Sequence, residues 1–311
     1  MSVNQNVLVV GGGIMGGGIA TSFASAGWTV HVMSPSQKTR DALPATLRTG
    51  LAKLQADESI ADTVGIHASL DTVPWDSLAL VVESVSEDLP LKQRLFPDLA
   101  ARAPKQAILA TNTSSFPIGE IAKSVPEADR ARVAGLHYFM PAHLVPLVEI
   151  VRSEYTADWV VDRLEGWMRD ARKAPIRVNK DICGFIGNRL QAALIREALY
   201  LVESGVTTAQ GIDDAVRFGF GFRFLACGPM KQKEFSGWDT NLAAGNVIYP
   251  TLCNSAKHGE MLHGMVAAGH TGMKTKHGFW EYDDAKIAEE KAAYEKKLRQ
   301  AFELLQSELG G

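Results

Sequence analysis

The length, composition and charge of this 311-residue chain exclude several classes of protein. With 46% apolar and 22% charged residues it is typical of a globular protein, and its net charge of −3 gives no basis for binding nucleic acid or an anionic membrane. No apolar run approaches the ~20 residues that span a bilayer. We therefore expect no nucleic-acid or membrane partner, and the length predicts two domains.

The amino-terminal sequence and the cysteines bear on the cellular compartment. Residues 1–6 contain no basic residue ahead of the first apolar run, so a signal peptide is not expected. Cys183, Cys227 and Cys253 are odd in number, widely spaced and without the spacing of metal ligands. We expect reduced thiols packed as small core residues, no metal site and a cytoplasmic location.

The first predicted elements are a strand, a glycine turn and a helix. Four apolar residues, 7–10, run into Gly11-x-Gly13-x-x-Gly16, and an apolar helical pattern follows. Gly11 permits a tight turn, Gly13 lets the backbone approach a pyrophosphate, and Gly16 lets the helix pack closely on the strand. The alternative is a tight turn in another kind of α/β protein. The predicted cofactor contacts at this turn are Gly11, Gly13, Ile14, Met15 and Gly16.

Short apolar runs alternating with helical patterns continue through the first half of the chain, as in βαβ units. The predicted strands after the first are 29–33, 78–82, 107–110, 132–137, 147–151 and 175–178. We therefore predict a Rossmann-type, doubly wound α/β sheet that forms a dinucleotide-binding domain over residues 1–180.

After residue 180 the pattern becomes helical. Residues 188–202 form a long helical pattern, and residues 287–309 place apolar side chains at steps of three and four. We predict an all-helical C-terminal domain over residues 181–311 that serves substrate binding and dimerisation. The broad apolar faces favour a homodimer, although packing within the domain explains them equally well.

Four further segments, together with the glycine turn, resemble the 3-hydroxyacyl-CoA dehydrogenase superfamily over nearly the whole chain. The segments are residues 81–93, 111–115, 135–141 with 146–150, and 184–190. Their joint order and spacing make the resemblance specific. It implies an NAD(P)-dependent dehydrogenase that acts on a small-molecule alcohol.

A histidine and a glutamate are the predicted catalytic pair. His137 ends one predicted strand and Glu149 lies in the next, so antiparallel neighbours would bring the two side chains together. An imidazole can take an alcohol proton, while a carboxylate on its other nitrogen fixes the tautomer and stabilises the imidazolium. The resemblance implies these roles for the pair; taken alone, His137 fits a hydrogen-bonded strand-end histidine. The remaining histidines are expected at the surface or in loops: His31, His67, His143, His258, His263, His270 and His277.

The resemblance also implies roles for polar residues around this pair. Ser114 and Asn188 match residues that bind the substrate hydroxyl and orient it, although either is also a suitable helix cap. Glu87 and Lys92 match positions beside the cofactor ribose and nicotinamide, although isolated charges are more often solvated. Asn112, in the same motif as Ser114, is expected to contact the cofactor.

The residue after the second predicted strand departs from the usual pattern. An acidic residue at that position accepts hydrogen bonds from the ribose hydroxyls and repels a 2′-phosphate. Here Ser34 occupies it, and the cations Lys38 and Arg40 follow. We expect NAD as the cofactor with NADP as a possibility, the alternative being that both cations point into solvent.

Two further departures concern the substrate. Residues 47–60 lack the basic helical hairpin that contacts the CoA tail in the acyl-CoA enzymes, and Met140 replaces an asparagine often found there. Residues 218–229 instead resemble the λ-crystallin/gulonate and carnitine dehydrogenase branch, with Arg223 among phenylalanines ahead of a Gly-Pro pair. An arginine fork suits a free carboxylate; a structural ion pair or aromatic stacking is the alternative reading of Arg223.

The sequence thus predicts an NAD(P)-dependent dehydrogenase that oxidises the hydroxyl of a small free (3-)hydroxy acid. The main alternative is a short-chain L-3-hydroxyacyl-CoA dehydrogenase. More remote alternatives are a dehydrogenase of a ring-substituted pyridine carboxylate and a non-catalytic dinucleotide-binding protein.

Overall fold

The predicted doubly wound sheet is confirmed by the computed structural model, which describes residues 5–306 and residue 308. Eight strands are ordered β3-β2-β1-β4-β5-β6-β7-β8, and every neighbouring pair is parallel except β6 with β7. The strands are β1 (Asn6–Val10), β2 (Thr29–Met33), β3 (Gly65–His67), β4 (Leu78–Glu83), β5 (Ile108–Thr111), β6 (Val133–Tyr138), β7 (Leu147–Val151) and β8 (Ala174–Val178).

Helices cover both faces of this sheet, which explains why its strands are apolar throughout. Val7 and Val9 of β1 belong to one buried cluster, whereas Leu8 and Val10 belong to the other. Successive side chains of a strand point to opposite faces, so a run of four apolar residues serves both cores. The helices of this part are α1 (Ile14–Ser25), α2 (Gln37–Lys53), α3 (Leu89–Arg102), α4 (Ile118–Ala122), α5 (Glu127–Arg130) and α6 (Asp158–Asp170).

The remainder of the described chain is helical, as predicted. Its helices are α7 (Gly187–Glu203), α8 (Ala209–Asp214), α9 (Pro229–Ser236), α10 (Trp238–Ile248), α11 (Glu260–Ala267) and α12 (Asp284–Gln306), with a π-helix at Ala215–Phe220. No strand forms among its described residues, which contain only isolated bridges at His277. Leu309, part of the predicted apolar stripe, lies outside the described residues.

The chain divides into two units, residues 5–188 with Gln306, and Arg189–Leu305. The first unit extends to Asn188, beyond the boundary predicted at residue 180, because the connecting segment is bonded to it. Asp181 accepts a hydrogen bond from Gly119 N at 2.7 Å, and Ile186 N donates to a strand carboxylate, Glu149, at 2.9 Å.

None of the helices in the described part of the chain combines the length and apolar character that crossing a membrane requires. Cys183 is exposed, so the expectation that it is a core residue is wrong.

Candidate active site

His137 and Glu149 face each other across the antiparallel pair β6–β7. They are direct partners in the register, and His137 Nδ1 lies 2.7 Å from Glu149 Oε2. Both side chains are buried, with 2% and 0% of the residue surface exposed. The predicted cross-strand contact is therefore present, and it occurs where water competes little for the hydrogen bond.

The second carboxylate oxygen of Glu149 is held by the backbone at the start of α7. Ile186 N and Gly187 N donate to Oε1 at 2.9 and 2.8 Å. Burial opposes ionisation, but the hydrogen bonds from His137 and from these two amides prevail and lower the pKa of Glu149. The carboxylate is thus ionised at neutral pH and favours a proton on His137 Nδ1.

The other ring nitrogen of His137 faces Ser114. Nε2 lies 2.9 Å from Ser114 Oγ. The rings of Phe139 and Phe185 flank the imidazole at centroid distances of 4.7 and 5.4 Å. With Nδ1 bound to the carboxylate, Nε2 is the acceptor, and the tautomer suits removal of a proton from a hydroxyl group.

Ser114 does not cap a helix. The next helix, α4, begins at Ile118 with Pro117 at its cap position, so Ser114 lies in the loop before it. That loop is fastened by Glu87, whose Oε1 accepts from Thr113 Oγ1 at 2.5 Å and from the amides of Ser114 and Ser115, each at 3.0 Å. Burial is outweighed by these bonds and by Lys92, so the pKa of Glu87 is lowered.

The reading of Lys92 as a solvated surface charge is wrong. It is 1% exposed, its Nζ lies 2.8 Å from the fully buried Glu83, and Glu87 lies 3.3 Å away. Glu83 also accepts from Thr111 Oγ1 at 2.6 Å. Glu83 and Thr113 are not among the site residues predicted from the sequence. The signal that identifies Glu83 is an acidic residue that ends a buried apolar strand nine positions before a lysine.

The two asparagines singled out in the sequence occupy different settings. Asn112 Oδ1 accepts from Tyr138 N at 2.8 Å, which ties the end of β5 to β6 and leaves the amide NH2 to meet a ligand. Asn188 lies inside α7, one residue after Gly187, and is half-buried. Within the described residues its side chain makes no hydrogen bond to the protein, so it is available to a bound molecule.

The glycine turn has the features that a pyrophosphate requires. Gly11 has φ of +108°, and a Cβ there would lie 2.4 Å from Ser84 O, while a Cβ at Gly16 would lie 1.7 Å from Gly11 O. Gly13 faces open space, with no atom within 4 Å of the position of a Cβ. No side chain caps α1, so its first N–H groups, with the positive end of the helix dipole, suit an anion.

Of the two cations after β2, Arg40 is already bound to the backbone. Its Nη1 donates to Ser34 O at 2.7 Å and to Pro35 O at 2.9 Å. Lys38 is exposed and lines a cleft of about 640 Å³ that includes Gly12 and Gly13 of the glycine turn. For Arg40 the alternative that both cations point into solvent therefore does not hold, and its Nη1 is already paired with two backbone carbonyls.

Arg223 lies in the second unit and is exposed. Its Nε donates to Gly219 O at 3.1 Å, and it forms no ion pair in the described part of the chain. Neighbouring aromatic rings pair with other groups: Phe220 packs on Phe224, and Phe218 lies beside Arg217. Most of the Arg223 fork thus remains available to a carboxylate.

Two of the other histidines are half-buried and lie close together on neighbouring strands. His31 and His67 lie on β2 and β3 rather than in loops, with His31 Nδ1 3.1 Å from His67 Nε2. Burial lowers the pKa of both imidazoles, and for His31 the neighbouring His67 adds to the effect.

Comparison with known families matches both parts of the chain. The NAD binding domain of 3-hydroxyacyl-CoA dehydrogenase matches residues 6–182, and the C-terminal domain of the same family matches residues 184–282.

Several characterised proteins are similar over most of their length. The 5-formyl-3-hydroxy-2-methylpyridine 4-carboxylate 5-dehydrogenase of Mesorhizobium japonicum is 28% identical over 89% of this chain and 91% of that protein. The 3-hydroxybutyryl-CoA dehydrogenase of Clostridioides difficile is 32% identical over 90% of this chain and 100% of that protein.

Solved structures give the same two groups. A 5-formyl-3-hydroxy-2-methylpyridine 4-carboxylic acid 5-dehydrogenase, described as an NAD+-dependent dismutase, superposes with a TM-score of 0.87 at 26% identity, covering 98% of this chain and 99% of that one. The (S)-3-hydroxybutyryl-CoA dehydrogenase PaaH1 of Ralstonia eutropha gives 0.71 at 29% identity, covering 91% and 100%.

Proposed function

Because the chain belongs to the 3-hydroxyacyl-CoA dehydrogenase family of NAD-dependent oxidoreductases, which act on CH–OH groups, we propose that it oxidises the hydroxyl of a small free carboxylic acid. The observation that carries the catalytic part of this proposal is the buried chain from Glu149 through His137 to Ser114, with 2.7 and 2.9 Å between the paired atoms. Its three side chains are those that alcohol oxidation requires.

The residues that would hold NAD are those of the glycine turn, with Gly13 and the first turn of α1 at the pyrophosphate and Asn112 and the Glu87–Lys92 pair further along the strand ends. NAD held there would supply the acceptor for the hydride that leaves the carbinol carbon. The open space at Gly13 and the uncapped start of α1 fit the cofactor.

His137 performs the proton transfer. Its Nε2 accepts the substrate hydroxyl proton, and Ser114 Oγ, 2.9 Å from that nitrogen, orients the hydroxyl. The ionised Glu149 stabilises the imidazolium through Nδ1, and its own position is fixed by the α7 amides. Asn188, whose amide has no protein partner within the described residues, supplies a second hydrogen bond to the substrate oxygen.

Two features of the charge distribution support a free acid as the substrate: few basic residues follow α2, and Arg223 is available for a carboxylate. CoA carries several phosphate charges, which suit a basic site. After α2 ends at Lys53 the chain continues through a 3₁₀ turn, Glu58–Thr63, with acidic rather than basic residues. We propose that Arg223 binds the substrate carboxylate, since its guanidinium forms no ion pair among the described residues.

A ring-substituted pyridine carboxylate is the second candidate substrate. The dehydrogenase that acts on such an acid superposes with a TM-score of 0.87, compared with 0.71 for the 3-hydroxybutyryl-CoA dehydrogenase PaaH1. Both candidates share a free carboxylate, so Arg223 has the same role in each. A 3-hydroxyacyl-CoA thioester is the competing substrate class, and an assay with matched free acids and thioesters distinguishes the two classes.

We also propose that the enzyme is a cytoplasmic homodimer whose second unit provides the interface. Many large apolar side chains of that unit are exposed in the single chain, among them Leu190, Phe235, Leu242 and Val247 at 63–76%. Exposed apolar area on this scale is typical of a surface that another protein covers, and a second copy presents the same surface.

The deciding experiment is a dehydrogenase assay with NAD and NADP against matched free acids and CoA thioesters, including 3-hydroxybutyrate, 3-hydroxybutyryl-CoA and hydroxymethylpyridine carboxylates. We expect the wild type to turn over a free acid. In Arg223→Ala the KM for that acid should rise strongly, while kcat changes little. Turnover of the thioesters alone would contradict the free-acid proposal.

The catalytic assignment is tested separately. His137→Ala is expected to lose at least ~10²-fold in kcat/KM while NAD still binds, since general-base catalysis contributes that much. His263→Ala, an exposed histidine of the second unit, is the matched control and is expected to retain activity. NAD binding without turnover of any compound would instead favour a non-catalytic protein.

A further inference from the structure

The loop between β6 and β7 connects the strands that carry His137 and Glu149, and it turns back on itself at Pro141. Leu144 N and Val145 N both donate to Pro141 O, at 3.0 and 2.9 Å. Any shift of this loop changes how the two strands enter their antiparallel pairing, and thereby the alignment of the catalytic imidazole with its carboxylate.

A buried lysine outside the proposed catalytic group holds this loop. Lys173, 3% exposed, directs its Nζ to the carbonyl oxygens of Ala142, His143 and Val145 at 2.7, 3.2 and 3.0 Å. In the described chain no carboxylate pairs with it. A charge buried without a counter-ion is costly, so its three backbone contacts require an explanation.

The number of contacts indicates the protonation state that they need. Three carbonyl acceptors match the three N–H donors of an ammonium, whereas a neutral amine has two donors and would turn its lone pair toward the third carbonyl. Burial lowers the pKa of Lys173 to about 7. Among titratable residues, Tyr138 on β6 has its ring centroid 5.9 Å from Nζ, and His143 contacts Nζ through its backbone oxygen.

The loop also forms part of the cleft next to the cofactor turn. Pro141, Ala142 and His143 line the cleft of about 640 Å³ together with Gly12 and Gly13. On α1, Gly18 accommodates the loop closely, because a Cβ there would lie 3.1 Å from Ala142 Cβ. The same loop therefore borders the proposed pyrophosphate site on one side and the catalytic strand pair on the other.

We propose that Lys173 is a positioning residue, whose ammonium fastens the β6–β7 loop through three carbonyls and so fixes both the cleft wall and the alignment of His137 with Glu149. The proposal rests on the proposed dehydrogenase function only for its kinetic consequences. Its structural consequence, a loop that depends on the ammonium, holds independently.

The test compares Lys173→Met, which retains the apolar stem without the charge, with Lys173→Arg, which keeps a cation. We expect Lys173→Met to fold, to exchange its Leu144 and Val145 amide hydrogens faster than wild type, and to lose about 10- to 100-fold in kcat/KM. Lys173→Arg is expected to recover part of both properties. Lys123→Met, which removes a surface ion pair with Glu120, is the matched control and should change neither.

The pH profile separates the ammonium from simple packing. The ratio of wild-type to Lys173→Met kcat/KM should fall between about pH 6 and about pH 9, because the wild type loses its third donor over that range. A constant ratio, or unchanged exchange of the two loop amides in Lys173→Met, would overturn the proposal. If the wild type turns over no substrate, the exchange measurement still decides the role of Lys173 while the proposed function fails.

Discussion

The two units of the chain differ sharply in what they bury. The first unit covers both faces of its sheet, and nearly all the buried apolar residues belong to it. In the described residues of the second unit, Ala198 is the one buried apolar side chain, while Phe235 and Val247 are 76% and 74% exposed. The first unit thus has a packed hydrophobic core, whereas the described residues of the second unit bury almost no apolar side chain.

The two units therefore depend on different contacts, the first on its own core and the second on a surface that covers its apolar faces. The proposed catalytic residues of the first unit are oriented by contacts inside residues 5–188, so their geometry is set when that unit folds. The second unit presents amphipathic helices whose apolar faces stay in water unless another surface covers them. We therefore expect mutations in the first unit to act on chemistry and folding, and mutations in the second to act through assembly.

The largest effect is expected at Glu149, which accepts hydrogen bonds from His137 and from two backbone amides. Glu149→Ala removes the partner of His137 Nδ1 and of the Ile186 and Gly187 amides. We expect kcat/KM to fall by at least ~10²-fold and the free energy of unfolding to fall by about 3 kcal/mol, because buried donors lose their acceptor. Steady-state kinetics and urea unfolding measure the two losses.

Glu149→Gln keeps the side-chain volume and serves as the control. It should recover part of the stability and little of the activity, because a neutral amide does not stabilise the imidazolium. Since the folded-state pKa of Glu149 lies below its ordinary value of 4.5, the ionised carboxylate stabilises the fold above that pH, and this contribution is lost as pH falls through the folded pKa. Glu149→Gln should thus lose less stability on acidification than wild type; equal losses would contradict this account.

The next effect concerns the second unit. Leu242 on α10 is 65% exposed in the single chain, and Leu242→Asp places a charge on the proposed interface. We expect the wild type to be a dimer at micromolar concentration and the variant to shift toward monomer, because burying an unpaired carboxylate costs several kcal/mol. Sedimentation velocity over a dilution series measures the equilibrium.

Gln106→Asp is the control, since it adds the same charge at an exposed polar position of the first unit, outside the proposed interface. It should dimerise like the wild type. A wild type that sediments as a monomer at every concentration would remove the proposed partner and leave the apolar surface of the second unit without an explanation.

The sequence predicts the sheet and the catalytic pair because both depend on local pattern. A run of four apolar residues that ends in glycine identifies β1, and two apolar strands joined by a short connection place His137 opposite Glu149. The three-residue β3 was missed because Gly65–His67 is half-buried and too short to show a period. A pattern needs about two turns of helix or four residues of strand before it is distinct.

Buried charges are harder to predict, because a sequence does not show which face of the fold a charged residue meets. Lys92 and Lys173 resemble the surface lysines around them, yet they are 1% and 3% exposed. Each is buried by contacts with a different element of the fold, Glu83 of β4 for Lys92 and the β6–β7 loop for Lys173. Cys183 shows the converse, an apolar residue left exposed on the segment before α7.

The smallest effect is expected at Arg40. It tests whether hydrogen bonds within the first unit also fix the residues around the proposed cofactor site. Because the guanidinium is bound to Ser34 O and Pro35 O, Arg40→Ala should loosen the β2–α2 turn and raise the KM for NAD by less than about 10-fold. The preference for NAD over NADP should not change. Lys38→Ala is the comparison, since Lys38 is the exposed cation that lines the cleft. The contradicting outcome is that Arg40→Ala abolishes residual use of NADP while Lys38→Ala does not. The arginine would then leave the two carbonyls to bind a 2′-phosphate, and the turn would be less rigid than its hydrogen bonds indicate.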